Sequence, residues 1–220
     1  MMKFLLIGFF LFSGLTSFSQ NNSLGKSDPD AKKILDNVSA KFKTYKTVSA
    51  NFVLKIENSD GKSQGTKSGV VYIKGSKYRV NISGQEIYSD GSNIWTYDKA
   101  ASEVQVTQFD PAANTITPQK MFTNFYDKDF LYKLNSETKR GSKIIQQIEL
   151  TPIDKTKAFF KVLVDIDKTS KNIVSTKVFE KNGNRYIYTI SGMKTNVTLA
   201  DNLFVFNEKN YPNVEVVDLR

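Results

Sequence analysis

From Val48 onward the chain repeats one pattern: a run of alternating apolar and polar residues, a polar turn, and another such run. A period of two puts alternate side chains on opposite faces of a pleated strand, and Asp-Gly or Asn-Gly between two runs supplies the positive φ that a tight hairpin needs. Asp60-Gly61, Asp90-Gly91 and Asn182-Gly183 each stand at such a junction. The clearest case is Glu86 to Asp98, EIYSDGSNIWTYD, which carries the only tryptophan, Trp95. A chain built this way over most of its length forms one large antiparallel sheet.

The runs can be read in order. Phe52, Leu54 and Ile56 share one face of a strand, and Val71 and Ile73 follow beside the alternates Val70 and Tyr72. Tyr78, Val80 and Ile82 alternate with Lys77, Arg79 and Asn81, and Val104 and Val106 extend the meander. Strand grammar resumes at Lys143, with runs over 144–150, 159–166, 173–179, 186–190 and 203–206. The fold class is therefore mainly β, with about ten to eleven strands, and a twisted sheet of that size curls. A strongly curved antiparallel sheet, or unclosed β-barrel, encloses a concave apolar space.

Two stretches read as helix. Asp28 is a good N-cap, Pro29 fits the first helical position, and Ala31, Ile34, Leu35, Val38, Phe42 and Tyr45 recur at helical spacing with lysines largely off that stripe. Between Phe109 and Leu134 the alternation lapses; there Met121, Phe122, Phe125 and Tyr126 follow Pro118 at spacings that suit a short helix covering a sheet edge or a cavity. Both helices are candidate lids over the concave side.

The first nineteen residues stand apart. Lys3, the apolar run Phe4 to Phe12 and Ser17-Phe18-Ser19 have the tripartite form of a secretory signal peptide, and the apolar run is shorter than the ~20 residues of a spanning helix. Residues 20–220 then form one mature domain, beginning with a polar leader to Lys26 and destined for export. Without cysteine there is no lipid attachment site, so the expectation is a soluble, monomeric chain. The chain also has no histidine, which excludes Ser-His-Asp and Cys-His catalysis and zinc sites built on those ligands. The net charge of +9 suits a solvated sheet or transient contact with an anionic membrane surface better than nucleic acid, which an exported protein does not meet.

No motif for chemistry survives inspection. Gly61 to Ser68 has glycines and lysines but not the spacing of a phosphate loop, and Asp165 to Ser170 lacks the glycine of a calcium loop. Asp90, Glu149, Asp154 and Asp165 are the carboxylates a glycosidase would need to pair, yet nothing local singles them out. The reading is a binding protein without enzyme activity, cofactor or metal.

The ordered set of SANF closing the first helical region, GVVYIKGSKYR, SDGSNIWTYD and NVTLADNLFVFNEKNYPNVEVVD resembles the LolA family of periplasmic outer-membrane lipoprotein carriers. The resemblance implies an unclosed barrel with helical lids, whose apolar cavity shelters lipoprotein acyl chains. It also implies loading by an ATP-driven inner-membrane transporter and delivery to an outer-membrane acceptor. On this reading Phe52, Leu54, Tyr78, Val80, Trp95, Phe122 and Phe125 face the cavity, and Ile34, Leu35, Val38, Phe42 and Met121 belong to the lids. Where better-studied members carry Arg-Pro after the second strand, this chain has Gly75-Ser76, so the lid-locking arginine is missing and Lys74 is the nearest cation. The alternative is a periplasmic lipid- or lipoprotein-sensing accessory module of the same fold.

Overall fold

The computed structural model describes residues 27–110 and 126–220. Residues 1–26, where a signal peptide and leader are expected, and residues 111–125, with Met121, Phe122 and Phe125, lie outside the described residues. Asp28 caps the first helix, α1 (Pro29–Lys43), by accepting from the backbone N–H of Asp30, with Pro29 in the first turn as its fixed φ favours. Lys41 and Lys43 complement the negative end of the helix.

Among the described residues twelve strands follow: β1 (Thr47–Glu57), β2 (Ser63–Lys74), β3 (Lys77–Ile82), β4 (Gln85–Ser89), β5 (Asn93–Asp98), β6 (Glu103–Gln108), β7 (Phe130–Arg140), β8 (Lys143–Pro152), β9 (Phe159–Asp167), β10 (Ile173–Glu180), β11 (Arg185–Thr195) and β12 (Glu215–Asp218). A single helical turn, α2 (Tyr126–Asp129), precedes β7. They form one curved sheet in the order β12-β6-β5-β4-β3-β2-β1-β11-β10-β9-β8-β7, antiparallel throughout except that β12 runs parallel to β6. Because β12 and β7 are its two edges, the sheet does not close.

The central hairpin is the one read from the sequence: Tyr88 pairs with Trp95 across a turn in which Gly91 takes φ +95° and Asp90 accepts from the N–H groups of Ser92 and Asn93. Two elements differ from the alternation. β7 escapes it, because its sequence, FLYKLNSETKR, turns polar halfway along and its far end is an exposed edge rather than a core element. The run 203–206 is not a strand: Asp201–Phe204 is a short 3-10 turn that buries Phe204 completely, and the segment rejoins the sheet only at β12.

The inner face, against which α1 packs, carries two apolar clusters. Ala31, Leu35 and Val38 of the helix bury among Tyr132, Ile148, Leu150, Val162, Val164 and Ile166 of β7–β9. Farther along the helix, Phe42 packs against a second cluster of Val48, Ile73 and Tyr78, which Val80 and Ile87 also join.

Candidate functional site

Register assigns every side chain of β1 to β5 to a face. Phe52 pairs with Gly69 and Leu54 with Lys67, while Val71 pairs with Val80 and Ile73 with Tyr78. Phe52, Leu54, Tyr78 and Val80 therefore stand together on the inner face, as their alternation predicts. Val80 in turn pairs with Ile87, and Ile87 with Thr96. Trp95 is consequently on the other face, and its assignment to the same side as Val80 is corrected. The signal lies in the two-residue turn Ser83-Gly84, which sets Ile82 opposite Gln85 and so fixes the parity of the next hairpin.

Trp95 has a different role. With Tyr88, Tyr97 and Val104 it forms an outer-face cluster covered by the returning C-terminal segment through Phe206, Tyr211 and Val214. Phe206 and Tyr211 stack with centroids 4.6 Å apart and planes at 18°. Beneath them Glu86 is the anchor: Tyr88 donates to its Oε2, as do Tyr211 at 2.9 Å and Arg79 at 3.1 Å, while Lys99 sits 2.8 Å from Oε1. Burial pushes this carboxyl upward, but the hydrogen bonds from Lys99, Tyr88 and Tyr211 outweigh it and hold the pKa at about 2. Burial and the Glu86 hydrogen bond push the Tyr88 hydroxyl well above its usual value, so it stays a donor.

Lys74, at the end of β2, also binds the C-terminal segment, donating to the Leu199 carbonyl at 2.9 Å and sharing Asp201 with Lys77. It pins the chain ahead of the turn Asp201–Phe204 and does not hold the helix, so it does not stand in for a lid-locking arginine. The helix is fastened by other groups. Asp28 accepts from the Leu134 N–H at 3.0 Å and gives its own N–H to the Tyr132 carbonyl, Tyr126 donates to Asp36 at 2.9 Å, and Lys41 donates to the Ser170 carbonyl at 2.6 Å. Over β7–β9, then, Leu35 and Val38 make α1 a fixed part of the core, with Leu35 only 4% exposed. Ile34 and Phe42 are half-buried.

What remains open is the middle of the inner face. Phe52, Ile56, Val71, Val80, Ile82 and Ile87 line it, most of them half-buried, and β11 adds Tyr186, Tyr188 and Ile190 from across β1. Phe52 and Tyr188 approach with centroids 6.5 Å apart. Leu54, 8% exposed, forms the floor between them. Beyond this strip β3 pairs with β2 only from Gly69 onward, and a hollow of about 450 Å³ opens beside the gap mainly on the outer face, lined by Asn51, Val53, Val70, Asn81 and Lys99 along with Phe52 and Ile82. A smaller hollow of about 190 Å³ lies under the end of the helix, between Phe42, Tyr45, Val48 and Ile73. An apolar strip half in water is a liability for an isolated domain and an asset for one that receives an apolar ligand.

The carboxylates considered for chemistry are all engaged locally. Asp90 and Asp154 cap their own turns, Asp165 binds Arg140 and Gln147, and Glu149 faces Lys133 and Asn135. The glycine-containing stretch after Gly61 is the start of β2, and Asp167 closes its turn by accepting from Thr169 and Ser170.

Among the described residues, no helix is long and apolar enough to cross a membrane. Residues 43–207 match the family model described as outer membrane lipoprotein carrier protein LolA. The outer-membrane lipoprotein carrier protein of Haemophilus influenzae Rd is 29% identical over 181 residues, covering 79% of this chain and 81% of that protein. That of Cupriavidus necator is 28% identical over 158 residues, covering 70% and 72%. A solved structure of an uncharacterized conserved protein from Thermus thermophilus superposes with a TM-score of 0.58 at 11% identity, covering 86% of this chain and 99% of that one, a likeness of fold. With the family model spanning most of the sheet and two carrier proteins aligned over most of its length, this chain belongs to the LolA family of outer-membrane lipoprotein carrier proteins.

Proposed function

We propose that the chain is a periplasmic carrier that takes lipoprotein acyl chains onto the inner face of its sheet and moves them from the inner to the outer membrane. The observation that carries this reading is the half-buried row Phe52, Val71, Val80, Ile87, Tyr188 and Ile190, which adjoins one buried cluster through Val71, Val80 and Ile87 and the other through Ile190. An acyl chain in water exposes methylenes at about 0.8 kcal/mol each, so a sixteen-carbon chain requires shelter worth on the order of 10 kcal/mol. Closing the half-exposed strip over such a chain supplies apolar contact to both sides. The partners of this reading are an ATP-driven inner-membrane transporter that loads the carrier and an outer-membrane acceptor that unloads it. The family's role is binding and transport, and the chain works here without catalysis. Residues 1–19 act as the signal peptide that delivers it to the periplasm.

The test is to purify the protein from the periplasm of its own cells and identify bound molecules by mass spectrometry. Lipoproteins with intact acyl chains are the expected cargo. Empty protein that also fails to release lipoproteins from spheroplasts contradicts the reading.

A further inference from the structure

The outer face of the sheet carries a second, differently built surface. On β10 the ring of Phe179 is approached by three cations: Lys161 Nζ at 4.5 Å from its centroid, Lys177 Nζ at 5.4 Å and the Arg185 guanidinium at 5.7 Å. The register explains the convergence, since Lys161 and Arg185 are the cross-strand partners of Phe179 on either side. Against these charges and Lys55 nearby, the carboxylate in ion-pair contact is Glu57, 3.1 Å from Lys177 and 2.9 Å from Lys55. Lys161 has no ion-pair partner among the described residues. Holding like charges together opposes folding, and a sheet that needed only solubility would spread them.

Beside this cluster stands Phe160, 49% exposed, its ring 6.2 Å from that of Phe179. Val53, 38% exposed, lies on the same face of β1 as Phe179 does of β10. A soluble anion would engage the cations and gain nothing from Phe160. A bilayer interface engages both, drawing cations to its phosphates while an aromatic side chain enters the headgroup boundary. We propose that the Phe160–Phe179 surface, with Lys161, Lys177 and Arg185, docks the protein onto anionic lipid bilayers.

The placement gives docking a consequence. β1 and β10 end, and β9 and β11 begin, at the same end of the sheet, so Ile56, Tyr186 and Val178 of the inner face lie next to the docked surface with opposite parity. Docking there brings the mouth of the inner strip to the bilayer. The inference stands on the outer-face cluster alone and does not require the cargo to be a lipoprotein.

The experiment is cosedimentation of the full mature chain with vesicles of phosphatidylcholine alone and of phosphatidylcholine mixed with phosphatidylglycerol. Partition onto the anionic vesicles is expected, weakening as salt is raised. Lys161→Ala lowers it about fivefold, the share of one cation at an anionic surface, and Phe160→Ser lowers it clearly, while Lys139→Ala on β7 leaves it unchanged. Circular dichroism establishes that each variant is folded, and both test positions are on the surface. Equal partition onto both vesicle types overturns the proposal, as does an equal loss in Lys139→Ala. Capture of an acidic protein that depends on Lys161, with no difference between vesicles, also overturns it.

Discussion

The ring of Phe52 lies over Gly69: a Cβ built on that glycine would stand 2.4 Å from Phe52 Cζ. Gly69 is thus the floor that lets an aromatic side chain of β1 lie across β2 on the inner face. Glycine weakens a strand, and here it is present because another group occupies its side-chain space. Gly69→Ala must displace Phe52 and also meets the Asn81 carbonyl at 2.5 Å. The expected cost is about 1–3 kcal/mol, read as a lower urea midpoint, together with weaker binding of a fluorescent fatty acid. Phe52→Leu, which relieves the contact, restores part of the stability in the double variant.

The helix contributes unequally along its length. Leu35→Ala removes a side chain that is 4% exposed within the β7–β9 core, and the expected destabilisation is about 2–5 kcal/mol. Phe42→Ala, at a half-buried position over the small hollow, costs less stability and changes acyl binding more. Denaturant unfolding and a lipid-probe titration on the two variants separate these effects.

The Glu86 anchor predicts a specific pH dependence. Its carboxyl titrates at about 2 in the folded chain against 4.5 for a free side chain, so its stabilisation is complete above pH 4.5 and is lost as pH falls toward 2. The contribution is on the order of 3 kcal/mol at neutral pH. Glu86→Gln is expected to lower stability at pH 7 and to flatten the fall between pH 4.5 and 2. Tyr211→Phe, which removes one donor, gives a smaller change of the same sign. Thermal unfolding across that range checks both.

Much of this was legible in the residues. The Asp28-Pro29 start of the helix, the Asp90-Gly91 hairpin and the shared parity of Phe52, Leu54, Tyr78 and Val80 follow from capping, turn chemistry and the period of two, all local rules. Trp95 is misplaced by alternation because alternation orders residues within a strand but leaves the two faces unlabelled; here both faces are covered, one by α1 and the other by Phe206 and Tyr211 arriving from more than a hundred residues away. β7 escapes as a whole: its apolar start, Phe130 to Leu134, is only five residues long and follows a lapse in the alternation, and its second half is an exposed edge with no apolar face to announce it. The cluster around Phe179 depends on cross-strand neighbours, and no window of sequence contains it.

The account turns on which face of the sheet receives an acyl chain. A photoreactive benzoylphenylalanine placed at Phe52, on the inner face, or at Tyr72, on the outer face of the adjoining strand, decides it when each variant is irradiated with a purified acylated lipoprotein. Crosslinking from position 52 and none from position 72, abolished by removing the acyl chains from the cargo, is the predicted result. Crosslinking from position 72 alone, or equally from both, would contradict it.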